Sequence, residues 1–195
     1  MKKIFTLAII ALTYVTAMQA QTITINKTDG STIVLQASEI NNIVFEPAEL
    51  TEAQKIAGTY TGKDSINVGG TMPYYADAAA DYVITANEDS TINITLPEES
   101  ISNTAVGNLE IGSFTISNIA WDSNAQAFVR NYSKDGIKLH FKSTSMRMDS
   151  DYALDSDKCE IKVKNNGNGT VTITNTYQMG RMPFPIYSAV VPTKK

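Results

Sequence analysis

The chain carries one cysteine, one histidine and one tryptophan among its 195 residues, and each scarcity excludes a class of chemistry. One thiol closes no intramolecular disulfide and builds no cysteine-rich zinc site. One imidazole excludes any site that needs two. Past the first twenty residues no apolar run reaches the length of a membrane-crossing helix. Charge is also sparse, at 18% of residues, with 16 basic against 20 acidic side chains. Nucleic acid and anionic lipid, which attract basic patches, are therefore poor partners. What is plentiful is apolar surface: 43% of residues are hydrophobic, too many for a disordered chain.

The N-terminus reads as an address. Lys2 and Lys3 precede an apolar stretch from Ile4 to Val15, and small residues follow at Ala17 and Ala20. This is the pattern of a secretory signal peptide over residues 1–20, too short to anchor comfortably in a bilayer. Its removal takes two lysines, so the mature chain would carry 14 basic and 20 acidic residues, a net charge of −6. The expected location is extracytoplasmic: periplasm, cell surface or medium.

Beyond the address, the apolar period is two almost everywhere, the mark of strands. Thr22 to Ile25 and Ser31 to Leu35 flank Asp29-Gly30, a hairpin signal, and Ile40 to Phe45 reads as a third short strand that Pro47 ends. This segment, residues 21–47, is too small to bury a core alone and needs a docking surface or a partner. Residues 48–54 form a linker in which Thr51 and Gln54 make a capping box for a short helix. Residues 55–195 then carry eight or nine strands. The first runs from Ile56 to Val68, the second from Tyr74 to Ala86, the third from Ile92 to Leu96. Leu109 to Trp121 is broken near Gly112-Ser113, and hairpins are expected around Asp135-Gly136 and Asn165 to Gly169, before a last strand from Phe184 to Val191. A meander of this length removes its edges by closing into an up-and-down barrel, whose interior at eight strands suits packed side chains or one small ligand.

No catalytic constellation emerges. His140 shares a strand face with Lys138 and Lys142, opposite Ile137, Leu139 and Phe141, which points it to water. Cys159 alternates with Ile161 and Val163 and reads as a small core residue. Asp149, Asp151, Asp155 and Asp157 suggest a solvated loop; Ala153 and Leu154 spoil the ligand spacing of a calcium loop. No metal, cofactor or enzymatic activity is expected. Asp64 falls on the inner register of the first strand, and a bulge that turns it outward is the expectation.

The second strand is the most informative. Tyr74, Ala76, Ala78, Ala80 and Tyr82 fall on one face, while Asp77 and Asp81 fall on the other. With the aspartates outside, small alanines framed by tyrosines would leave room within for a ligand. The alternative is that Phe114, Trp121, Phe128 and Phe141 fill that space as core.

The short capped helix leading into Gly58-Thr59-Tyr60-Thr61-Gly62 resembles the opening Gly-x-Trp strand of lipocalins and other calycins, with Tyr60 in place of the tryptophan. The run from Ile94 through Val106-Gly107-Asn108-Leu109 to Ile119 is similar to bacterial secreted proteins with a calycin-like, lipocalin-like β-barrel domain, as is Gly180 to Ile186. The resemblance implies an all-β fold: an antiparallel up-and-down eight-stranded calycin-like barrel preceded by a small N-terminal β-hairpin segment. It further implies a non-enzymatic binding protein holding a small, largely apolar, lipid-like ligand. Tyr60, Tyr74, Ala76, Ala78, Ala80, Tyr82 and Phe141 are the expected lining. The alternative is a structural or protein-interaction module of the cell envelope with a filled barrel and an envelope protein as partner. A membrane-spanning barrel would need apolar faces outward, which the charged face of Lys158, Glu160, Lys162 and Lys164 opposes.

Overall fold

The period-two pattern becomes seventeen short strands in the computed structural model, which describes residues 22–42, 44, 49–70, 72–180 and 182–195. The signal segment lies outside the described residues, and the strand expected at Ile40 to Phe45 falls partly outside them. The chain divides into two compact units, Met1–Ala48 and Glu49–Lys195.

In the first unit, β1 (Thr22–Asn26) and β2 (Thr32–Gln36) pair antiparallel. Gly30 turns the chain between them with φ +83°, and the Lys27 N–H donates to the Ser31 carbonyl at 2.8 Å. The register opposes Ile23 to Leu35 and Ile25 to Ile33, so four aliphatic side chains share one face. A 3-10 turn, Ala37–Glu39, follows.

The second unit opens with helix α1 (Glu52–Ile56). Thr51 Oγ1 accepts from the Gln54 N–H and Gln54 Oε1 from the Thr51 N–H, the expected capping box. Strands β3 (Gly58–Gly62) and β4 (Ser65–Val68) follow, separated by Lys63 and Asp64. Next come β5 (Met72–Tyr75), β6 (Ala80–Ala86), β7 (Ile92–Leu96), β8 (Glu99–Thr104), β9 (Gly107–Ile111) and β10 (Phe114–Asp122). The chain continues through β11 (Ala127–Asn131), β12 (Lys138–Ser143), β13 (Met148–Ala153), β14 (Glu160–Asn165), β15 (Val171–Tyr177), β16 (Ile186–Val190) and β17 (Thr193–Lys194).

Eleven of these form one curled sheet in the order β17-β3-β6-β7-β10-β11-β14-β15-β16-β4-β5. Every pairing is antiparallel. β3 pairs with β6 near one end of this order, while β4, two residues further along the chain, pairs with β16 near the other. The curl therefore brings the two ends of the sheet to one continuous piece of chain. The remaining four strands form a second sheet, β13-β12-β9-β8.

Two long bent hairpins link the sheets. β7 and β10 pair in the large sheet, and their continuations β8 and β9 pair in the small one. β11 and β14 pair below, and β12 and β13 above. The hairpin expected around Asp135-Gly136 is therefore not one, because β11 and β12 lie in different sheets. The chain leaves the large sheet at Tyr132, which is fully buried, and an Arg130–Asp135 ion pair at 2.8 Å braces the bend. Asp149 and Asp151, expected in a loop, sit on β13 opposite Lys142 and His140. That cross-strand complement of cation and carboxylate favours a strand there.

The inner faces share one core. Ile84, Ile92, Ile94, Ile116, Ile119, Ile161 and Ile173 are each at most 1% exposed, and Ile101, Leu139 and Phe141 of the small sheet join the same cluster. Burying each such side chain contributes about 1.5–3 kcal/mol.

Candidate functional site

The strand expected from Tyr74 to Ala86 is in fact two, β5 and β6, with a bend at Asp77 and Ala78 between them. The bend has a visible cause. Asp77 turns back to accept from the Ser102 N–H at 3.0 Å and from Ser102 Oγ at 2.8 Å, and its own N–H donates to the Ser100 carbonyl. The alternation breaks there, so the alanine-lined wall does not form. Ala76 is buried, Ala78 exposed and Ala80 half-buried. Tyr74 is half-buried, its hydroxyl accepting from the Ala105 N–H at 3.1 Å. Tyr60 is buried and donates to the Ile56 carbonyl at 2.9 Å, tying the first strand to the end of α1. Phe141 is buried in the small sheet, edge-on to Tyr152 at 6.3 Å.

Tyr82 is the one expected residue at the feature that stands out inside the fold, a buried pair of carboxyl groups. Asp64, in the break between β3 and β4, is 3% exposed and points inward, not outward as expected. The Ser65 N–H reaches its Oδ1 and the Ser188 hydroxyl its Oδ2, both at 2.7 Å, and these two donors hold the side chain in. Glu99, the first residue of β8, is 9% exposed, and Tyr82 donates to its Oε1 at 2.6 Å. The two carboxyl groups lie against each other, close enough to share a proton. Among the described residues neither forms an ion pair with a basic side chain.

Taking two such groups out of water without a cation favours their neutral forms. Burial, and then the charge of Asp64, push Glu99 up to about 7. Burial also raises Asp64 above the ordinary carboxylate range, against the pull of the Ser188 and Ser65 donors. Burial and the neighbouring acids hold the phenols of Tyr82 and Tyr177 far above their usual range. Near neutral pH the pair therefore retains about one proton, and titrates as a unit.

Beside the pair is a void of about 20 Å³ lined by Asp64, Tyr82, Glu99, Asn175, Tyr177 and Ser188, with Leu96, Pro97, Ile111 and Phe114 completing the wall. Such a volume admits one water-sized group. Pockets for drug-sized ligands are about 300–1,000 Å³. Asn175 is held by the Tyr132 hydroxyl, which donates to its Oδ1 at 2.8 Å. Asn175 shares a strand face with Val171, Ile173 and Tyr177; Ser188 shares one with Ile186 and Val190; Glu99 shares one with Ile101. Polar residues on an apolar register were the available sequence signal for all three.

Outside this site, His140 is half-exposed and clasped by Asp149 at 3.1 Å and Asp151 at 2.9 Å. The Asp151 hydrogen bond, then the charges of both aspartates, raise its pKa. Cys159 is fully buried, and burial pushes its thiol up, the opposite of nucleophile activation.

The sequence model of the family described as the calycin-like beta-barrel domain matches residues 56–188. Among solved structures, a "putative outer membrane protein" of Bacteroides fragilis is similar with a TM-score of 0.49 and 18% identity. The match covers 73% of this chain and 52% of that one, so this chain spans about half the length of that protein. No curated protein is significantly similar to the chain.

Proposed function

We propose an interaction role without catalysis for this chain, which belongs to the family of calycin-like β-barrel domains. In this reading β3 and β4 count as one bent strand and, with β6, β7, β10, β11, β14, β15 and β16, make an eight-stranded up-and-down barrel. The barrel is a filled scaffold. After removal of the signal peptide the chain works outside the cytoplasm as a protein-interaction module of the cell envelope.

One observation carries this reading. The interior that a lipid-like ligand would occupy holds a void of about 20 Å³, bounded by carboxyl, phenol and amide groups together with Leu96, Pro97, Ile111 and Phe114. An apolar tail gains nothing by displacing such groups from their hydrogen bonds. The partner surface in this reading is the face of β1 and β2. Its Ile25, Ile33 and Leu35 are each more than a third exposed, and a two-stranded hairpin alone is marginal in water.

The test is a titration of the mature chain with a fluorescent apolar probe, N-phenyl-naphthylamine, alongside native mass spectrometry after mild extraction. A filled barrel shows no saturable probe binding and a mass equal to that of the polypeptide. Saturable 1:1 binding, or a co-purifying lipid, overturns the filled scaffold and restores the small apolar ligand.

A further inference from the structure

The acid pair has an incomplete environment. Asp64 and Glu99 come from the β3–β4 break and from β8, and Tyr82 from β6, Asn175 and Tyr177 from β15, and Ser188 from β16 face them. No basic group stands among these neighbours, so five elements converge on negative charge with nothing to neutralise it but a proton. A second observation is independent of the acids. Tyr177 is 3% exposed and lines the same void, yet its hydroxyl has no hydrogen-bond partner among the described residues. Its ring is fixed edge-on to Phe114 at 6.5 Å, so it cannot simply turn to another partner.

We propose that this void is the seat of a single ammonium-type group, held by the Asp64 and Glu99 carboxylates and the Tyr177 oxygen. Three of the ion's four N–H donors meet three acceptors. The volume suits a group the size of water. The positive charge replaces the shared proton, which leaves to solvent as the ammonium enters, so both carboxylates end ionised and each accepts a charge-assisted hydrogen bond from the ion. The group is a free ammonium ion, the size that the void admits. The seat does not depend on the hairpin or on any protein partner.

The experiment follows thermal unfolding of the mature chain in ammonium, n-butylammonium, potassium and tetramethylammonium chlorides at matched ionic strength. Ammonium is expected to raise Tm where potassium and tetramethylammonium do not, since neither offers N–H donors. A rise with ammonium alone identifies the free ion; an equal or larger rise with n-butylammonium, whose chain the void has no room for, overturns the seat. Because one proton is displaced, affinity should weaken about tenfold for each pH unit below the titration of the pair. Glu99→Gln and Tyr177→Phe, both near-isosteric, should each weaken ammonium by about tenfold, the loss of one charge-assisted bond. Equal stabilisation by potassium or tetramethylammonium, no ammonium effect, or an ammonium effect that survives both substitutions overturns the proposal. The void then holds water alone.

Discussion

Replacing Glu99 by glutamine should flatten the pH dependence of stability. In the folded chain Glu99 titrates at about 7 against an ordinary 4.5, so between those values the folded state binds a proton that the unfolded chain has released. Stability is therefore fully present below about pH 4.5 and falls as pH rises through 7. At about 1.36 kcal/mol per pH unit the loss amounts to about 3 kcal/mol. That is a large part of the roughly 5–15 kcal/mol that holds a domain together. Glutamine keeps the shape, accepts the Tyr82 hydroxyl and donates to Asp64, with nothing to ionise. Glu99→Gln should therefore match wild type near pH 5 and exceed it by about 2–3 kcal/mol at pH 8. The assay is urea unfolding followed by circular dichroism and by Trp121 fluorescence, at half-unit steps from pH 5 to 8.5. Asp29 and Asp89, held low by hydrogen bonds from Ser31 and Thr91, and Asp81, held low by Lys195 and then Thr61, act below pH 3.8 and leave this window clean. His140 does not: its raised pKa also gives stability that is present below 6.5 and lost as pH rises. His140→Gln is thus the control, and the Glu99 effect must persist in that background. A wild-type profile that is flat or rising from pH 5 to 8, or a glutamine profile parallel to it, refutes the shared-proton argument.

Other expectations concern the scaffold. Ile173→Ala, at a fully buried position on β15, should cost about 2–5 kcal/mol in the same urea assay. Gly107 adopts φ +82° with Thr144 and Ser145 packed where a Cβ would go, so Gly107→Ala should destabilise by more than the roughly 1 kcal/mol typical of a φ-restricted glycine; a neutral result would mean the β8–β9 turn relaxes freely. Thr51→Ala removes the cap of α1 and should lower stability by about 1 kcal/mol, while Thr51→Ser should leave it nearly unchanged.

Much of the fold was legible because its period is local. Alternation identified β7, the β14–β15 pair and the break at Gly112-Ser113, and the Thr51–Gln54 spacing identified the helix cap. What failed involved long-range partners. Nothing local shows that Asp77 is claimed by Ser102, 25 positions away, and that claim splits the strand carrying the three alanines. Asp135-Gly136 has the composition of a hairpin turn, yet whether the flanking strands pair or part is decided by the buried Tyr132 and by β9 and β10. At the site, register alone put Asp64 inward. The expected outward bulge came from the cost of burying a carboxylate, a cost that Ser65, Ser188 and a shared proton reduce. Glu99 was missed because its partners, Tyr82 and Asp64, lie 17 and 35 positions back in the sequence.

The two bent hairpins bear on how the molecule can move. The small sheet is joined to the large one by four covalent crossings: at Pro97-Glu98, at Gly112-Ser113, between β11 and β12, and between β13 and β14. A flap on a single hinge swings; a plate welded at four points does not. The end of the barrel that carries Glu99 therefore flexes only with both hairpins together. Amide exchange should accordingly show β8, β9, β12 and β13 losing protection as one cooperative unit.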